Sequence, residues 1–281
     1  MLNSDENNVV VCPNCTHPYQ GNFCSSCGQK NITDKHSKSF RHLFNEFLHG
    51  FLHYDGKIIQ AIKYLILKPG FLSEQYFKNR HQSFIKPFTL LLLFTLFLYF
   101  FGLKLHIVHQ FSIATFLKQS SPLGTMLSTY VHKNGLDTQT FIHEFDAYKT
   151  SWQKFYYTLL VPFAGLVCSL LLFPKKRFFV EHLVFSIHMV CAYILLLFIY
   201  IILLIPAQLI FDFRGDSQIG LLVAMAAYLV YSVIAVRKAY ALHWAYATFT
   251  GTILSLFILW MDLGMHNMLV SYLTFFFNYI I

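Results

Sequence analysis

The sequence predicts an all-α integral membrane helical bundle of about five transmembrane helices, fronted by a small N-terminal zinc ribbon and interfacial amphipathic helices. Three observations predict it. Of 281 residues, 56% are hydrophobic and only 12% charged, with 31 Phe and 17 Tyr, where a soluble domain carries roughly 25% charged residues. The deficit lies after about residue 87, in charge-free stretches of spanning length. Four cysteines, Cys12, Cys15, Cys24 and Cys27, stand ahead of all of them as paired Cys-x-x-Cys knuckles.

The head comes first in the chain, residues 1–30. Zinc takes four thiolates at tetrahedral positions about 2.3 Å from the metal, and two knuckles supply them. Pro13 stiffens the first knuckle, and Gly28 follows the second, where a tight turn needs positive φ. So short a segment buries too little apolar area to fold alone, which makes the metal its main source of stability. A closed structural zinc site is favoured over a redox dithiol, since no thioredoxin-like βαβ pattern surrounds the cysteines, and over an iron–sulfur centre. His17 is surplus to a four-cysteine shell. Residues 1–29 contain no Lys or Arg, so nothing there neutralises phosphates and nucleic acid is not the expected partner. Met1 to Val11 show no basic region before an apolar run, so internal helices are expected to direct insertion.

Residues 31–39 read as a linker, and residues 40–87 as interfacial helices and a collar before the first span. Phe40, Leu43, Phe44, Phe47, Leu48, Phe51 and Leu52 recur with helical period, and Lys57 to Leu67 repeats the pattern more briefly. Both suit helices lying at the bilayer surface. His42, Glu46, His49 and His53 share one stripe. Glu-x-x-His pairs of this kind serve di-iron bundles, but no matching second motif exists in the chain, so a polar headgroup-facing surface is the favoured reading.

The transmembrane domain is expected over 88–281. Its spans fall near 88–103, 155–173, 183–211 (with a bend at Pro206), 219–236 and 239–261, and an outer loop occupies 104–154. Residues 268–281 would rise only about 21 Å as a helix, so they read as interfacial or re-entrant, with a sixth span as the alternative. With five spans, Lys and Arg number 15 on the N-terminal side and 6 on the other. That bias places the N-terminus in the cytoplasm of a multi-pass inner-membrane protein, where reduced thiols also keep zinc.

Polar groups inside apolar stretches are costly and therefore informative. Glu181 and His182 open the third span beside Lys176 and Arg177, which suggests a local ion pair. His188 lies two turns further in and suits a hydrogen bond to another helix or a substrate path. Gln208 lies near the far end. Cys168 and Cys191 read as buried, inert thiols, and Asp262 as the boundary of the fifth span.

The stretch Leu67-Lys68-Pro69-Gly70, then Glu74 through Phe88, resembles an uncharacterised family of bacterial membrane proteins common in Bacteroidetes. Its members carry a zinc ribbon, a Pro-Gly turn, a Tyr-x-x-Gly-Lys-Arg-like stretch and a proline before the first span. Glu181-His182-Leu183-Val184-Phe185 with His188, and Arg237-Lys238-Ala239-Tyr240, look like further family segments. Lys78-Asn79-Arg80 lacks the usual glycine. Five spans and a cytoplasmic N-terminus give a weaker similarity to Yip-type proteins, based on topology. The resemblance implies membrane placement and no activity.

In the collar, Lys78, Arg80 and Lys86 are expected to meet lipid phosphates, with Tyr76, Phe77, Phe84 and Phe88 among the headgroups. With a closed metal site, no nucleotide loop and no nucleophile–base arrangement, the favoured function is a non-enzymatic scaffold or regulator. Its zinc ribbon would dock a protein partner or its own body. The alternatives are a small transporter or channel with a path near His188 and Gln208, and a membrane enzyme acting on lipid or envelope precursors.

Overall fold

A computed structural model describes residues 9–30, 55–104, 113–118, 121–153, 155–211 and 217–280. The stripe of His42, Glu46, His49 and His53 lies outside the described residues. The described residues are mostly helical, and the chain divides into two compact units, one drawn from Met1–Phe94 with Val161–Ser255, the other from Thr95–Leu160 with Leu256–Ile281.

The larger unit begins with a two-stranded antiparallel ribbon, β1 (Val10–Val11) and β2 (Pro18–Tyr19), with Val10 opposite Tyr19. Helices α1 (Asp55–Leu67) and α2 (Phe71–Phe77) follow, separated by Lys68-Pro69-Gly70. Proline ends α1. Gly70 turns the chain at φ 76, and a Cβ built there would run into the Ala235 carbonyl oxygen and lie 2.9 Å from the Ala235 Cα. Glycine is required on both counts. Next come α3 (Pro87–Lys104), α7 (Tyr156–Leu171), α8 (Phe179–Phe211), α9 (Ser217–Tyr240) and α10 (Trp244–Trp260), some of which run into the smaller unit. The first half of α8 is the core: every residue from Val180 to Ile194 is buried. Its N-terminus is held by Glu181, which accepts from the Phe178 N–H at 3.1 Å and satisfies a backbone donor that the helix cannot.

In the smaller unit, α4 (Ile113–Lys118), α5 (Pro122–Lys133) and α6 (Thr138–Gln153) precede α11 (His266–Phe275). Ser121 caps α5, its hydroxyl accepting from Gly124 N–H at 3.0 Å with Pro122 in the first turn. Asp137 caps α6 by accepting from the Thr140 N–H at 2.8 Å, and bonds from Thr140 hold its carboxyl below the usual aspartate range. Ile113, Leu123, Leu127, Val131, Phe141, Phe145 and Phe275 form an apolar core of this unit's own.

Among the described residues, three helices are long and apolar enough to cross a membrane: Phe179–Tyr200, Leu222–Tyr240 and Trp244–Leu263. The most apolar window of the first is 72% buried and those of the others 39% and 44%, so one helix is largely enclosed and two keep outward apolar faces. Leu222, Val223, Val230, Phe249, Leu256 and Trp260 are exposed, a surface suited to lipid rather than water. These correspond to the last three of the five expected spans. The expected second span is α7, the second arm of a bent pair: Thr138–Trp152 and Tyr156–Leu171 meet at 55°, and they make a fourth crossing if they act as one. The expected first span meets a shorter apolar helix, Pro87–Leu98, and the expected terminal stretch another, Met268–Tyr279.

Candidate metal centre and the seat of the head

The four cysteine sulfurs converge. Cys12 and Cys27 Sγ lie 3.6 Å apart, Cys15 and Cys24 Sγ 3.5 Å, and all four ligand atoms fall within 4.8 Å of one another. A tetrahedral ion with bonds of about 2.3 Å requires sulfurs about 3.8 Å apart, so the set fits a closed four-thiolate metal site. A disulfide, at about 2.05 Å, does not describe these spacings.

Backbone geometry produces the convergence. Thr16 N–H donates to the Cys12 carbonyl at 2.9 Å, and Gly28 N–H donates to the Cys24 carbonyl at 2.8 Å. Each knuckle therefore closes on a left-handed residue four positions after its first cysteine, Thr16 at φ 63 and Gly28 at φ 70. Tyr19 packs beside the buried Cys12 and Cys24. The thiols differ: a backbone N–H of His17 favours the Cys15 thiolate, yet burial and the other three sulfurs push it up to about 11. Burial raises Cys27, but the Gln29 N–H and Asn14 amide bring it to about 7. Metal coordination at these sulfurs displaces protons.

The head rests on the collar. Arg80 Nε donates to the Pro13 carbonyl at 3.1 Å, and the Ser83 hydroxyl to Asn14 Oδ1 at 2.9 Å. At the second knuckle the buried Gln29 accepts from the backbone N–H groups of His81 (3.3 Å) and Gln82 (3.1 Å). Gln82 Nε2 donates to the Gly28 carbonyl at 3.0 Å. From the other side, Lys57 Nζ donates to the Gln82 carbonyl at 2.6 Å. Both knuckles thus grip one four-residue stretch. Asn79 makes the stretch available: at φ 59 it takes the left-handed conformation that ends α2. Asparagine tolerates that conformation where most residues do not.

The collar is in turn fixed to the long helices. The Ser73 hydroxyl and His188 Nδ1 lie 2.8 Å apart, both buried. Glu74 pairs with Lys78 at 2.7 Å and with Lys238 at 3.3 Å. Burial pushes the Glu74 carboxyl up, but the two lysines outweigh it and hold the carboxyl below the usual range. His188 lines two small open clefts, one shared with Tyr76, Arg80, Phe84 and Lys86 and one with Tyr64, Lys68, Ser73 and Tyr231.

Residues 55–100 match a family model described as a protein of unknown function (DUF3667). No curated protein and no solved structure matches the chain. The matched region contains Gly70, Ser73, Glu74 and the Arg80–Ser83 seat, and it leaves out the cysteines and the three spanning helices.

The remaining sequence-predicted residues separate into local contacts. Arg177 pairs with Glu181 at 3.0 Å, and its guanidinium lies over the Phe77 ring, 4.4 Å from the centroid. His182 does not join Glu181. Its Nδ1 lies 2.9 Å from the Tyr240 hydroxyl, with the rings stacked at 12°, and Cys168 Sγ lies 3.5 Å from that hydroxyl. Lys78 meets Glu74, Arg80 meets Pro13 and Gln75, and Lys86 lines a cleft shared with His188. The side chain of Gln208 is outside the described residues. Sequence reasoning missed Ser73, Tyr240 and Cys168 as partners of the polar histidines. Only the place of Tyr240 at the end of the quoted Arg237-Lys238-Ala239-Tyr240 segment offered a signal.

Proposed function

We propose that the chain is a non-enzymatic integral membrane protein, a scaffold or regulator. Its cysteine head binds zinc and docks in cis on the collar ahead of the spans. The observation that carries this reading is the shared grip of both knuckles on Arg80–Ser83. A head folded by metal holds a segment that is itself tied to α8 and α9, so the metal state of the head is coupled to the position of the collar. A shell of four cysteines leaves zinc no open position for water, which argues for a structural role. In this reading the bilayer contains five spans, with the N-terminus on the cytoplasmic side of the inner membrane, as the 15-to-6 charge bias supports. Lys78, Arg80 and Lys86 meet lipid phosphates around the docked head, and the head's outward face meets a protein partner.

The test is a Cys12→Ser/Cys24→Ser variant of the full chain in membranes. Zinc content falls to background, the spans remain inserted, and proteolysis within residues 78–86 accelerates at least tenfold. Unchanged cleavage in the zinc-free variant overturns docking in cis. A zinc-loaded wild type with no zinc-dependent difference anywhere in the collar overturns the regulatory reading.

A further inference from the structure

Three apolar helices bring their ends together at one face of the larger unit. His182, in the first turn of α8, lies 2.9 Å from the hydroxyl of Tyr240, the last residue of α9, and α10 starts soon after at Trp244. Each of the three is long and apolar enough to cross a membrane. In a bilayer, the two short connections at this end, 172–178 and 241–243, therefore lie among the headgroups.

The first connection is a fixed turn with an unusual outward surface. It passes through a 3₁₀ turn, Phe173–Lys175, and reverses at Lys176, whose φ is 49. Glycine adopts that left-handed conformation freely and lysine at a cost. Both sides of the turn are clamped. The Tyr246 hydroxyl of α10 donates to the Leu171 carbonyl, while Arg177 is held by Glu181 and by the Phe77 ring. The clamped turn presents Phe173, 81% exposed, together with the exposed side chains of Lys175 and Lys176. Among the described residues neither amine has a partner. Of the carboxylates at this end, Glu181 is engaged by Arg177, and Glu74 by Lys78 and Lys238. At the second connection Arg237 stacks on the exposed Trp244 ring, 4.2 Å from its centroid, which adds another cation and aromatic to the same face.

Exposed aromatics beside exposed amines discriminate between ligands. A free phosphate would use the lysines and leave Phe173 in water. A phospholipid uses both, its phosphate on the amines and the ring at the boundary with its acyl chains. We propose that the 172–178 turn is a binding site for anionic phospholipid, with Lys175 and Lys176 on the headgroup and Phe173 beside the acyl chains. The proposal rests on the membrane placement of α8 to α10. It goes beyond that placement by assigning a lipid class to one turn, separate from the collar residues Lys78, Arg80 and Lys86.

The experiment follows acetylation of individual lysines by acetic anhydride, read by peptide mass spectrometry. It uses the full-length protein in nanodiscs of phosphatidylcholine, alone or mixed with phosphatidylglycerol. A headgroup phosphate blocks an amine and favours its charged, unreactive form. Lys175 and Lys176 should react at least fivefold more slowly when phosphatidylglycerol is present. Lys63 and Lys133, also exposed, should change less than twofold. Phe173→Ser, which leaves both amines in place, should lose most of the protection. Unchanged rates at Lys175 and Lys176, or equal slowing at both reference lysines, overturns the proposal. So does full protection in Phe173→Ser, or equal protection by inorganic phosphate in phosphatidylcholine alone, since either assigns the amines to a free anion. A chain that fails to enter nanodiscs overturns the membrane reading itself, and this proposal with it.

Discussion

The two units arrange their interacting polar groups differently. In the larger one, the buried Ser73–His188 and His182–Tyr240 contacts and the more exposed Glu74–Lys238 pair each join one element to another across a long sequence separation. These groups act as latches: they fix where α2 and the α8 N-terminus lie and do little else. In the smaller one, Asp262, His266, Tyr156, Tyr157 and Lys149 gather around a single π-helical turn, Met261–Met265, close together in sequence on each of the elements that supply them. Paired contacts between distant elements specify how those elements pack, whereas a local cluster specifies one turn.

The strongest way to break that contrast is at Gly70. Gly70→Val combines a left-handed backbone with a collision against the Ala235 backbone, and should cost roughly 3 kcal/mol or more of stability. Thermal unfolding in detergent measures it, and a loss under about 1 kcal/mol would show that α2 is not seated on α9 as described.

The latch at His188 comes next. His188→Leu leaves the Ser73 hydroxyl buried without its partner and should cost about 1–3 kcal/mol. Adding Ser73→Ala should recover part of that loss, because both polar groups are then gone. If the latch and the local cluster differ as argued, His266→Gln should cost less than His188→Leu, since Nε2 gives up no protein hydrogen bond. Equal losses would erase the distinction between the two units.

The smallest effect is electrostatic. Because Glu74 has a lowered folded-state pKa, its contribution is complete above the ordinary glutamate value and is lost as pH falls through the folded one. Protease protection of the collar should therefore drop on acidification below about pH 4. Glu74→Gln should show weaker protection already at neutral pH and a smaller acid response, whereas identical pH profiles would remove the lysine pairs from the account.

Much of this was legible in the sequence, for reasons that mark the limits of reading it. The paired cysteines carry their geometry in their spacing, and the Pro69-Gly70 turn is local. The Arg177–Glu181 pair lies within one helical turn, and the last three apolar stretches announce their own length. What was not legible depends on partners more than 100 residues away. Nothing near Ser73 indicates His188, and nothing near Tyr157 indicates Asp262, which alone reads as the end of a span. The π-helical turn that aligns Asp262 with His266 has no sequence signature. The outer segment 104–154 reads as a loop with short helix-like stretches around Thr140 to Trp152, because α6 is amphipathic but weakly apolar; its buried face is completed by Phe275, far along the chain. Arg80 illustrates the same limit at the surface, for a basic residue beside aromatics suggests lipid phosphate, while the carbonyl of Pro13 gives it a partner within the chain.

The central claim is that metal in the head holds the collar, and the backbone amides of His81 and Gln82 report it most directly. Both donate to Gln29, which the second knuckle positions. Hydrogen exchange of the zinc-loaded and chelated full-length protein should show these two amides accelerating at least tenfold on zinc removal, with amides of α8 near His188 unchanged. Equal exchange at His81 and Gln82 in both states would contradict the account.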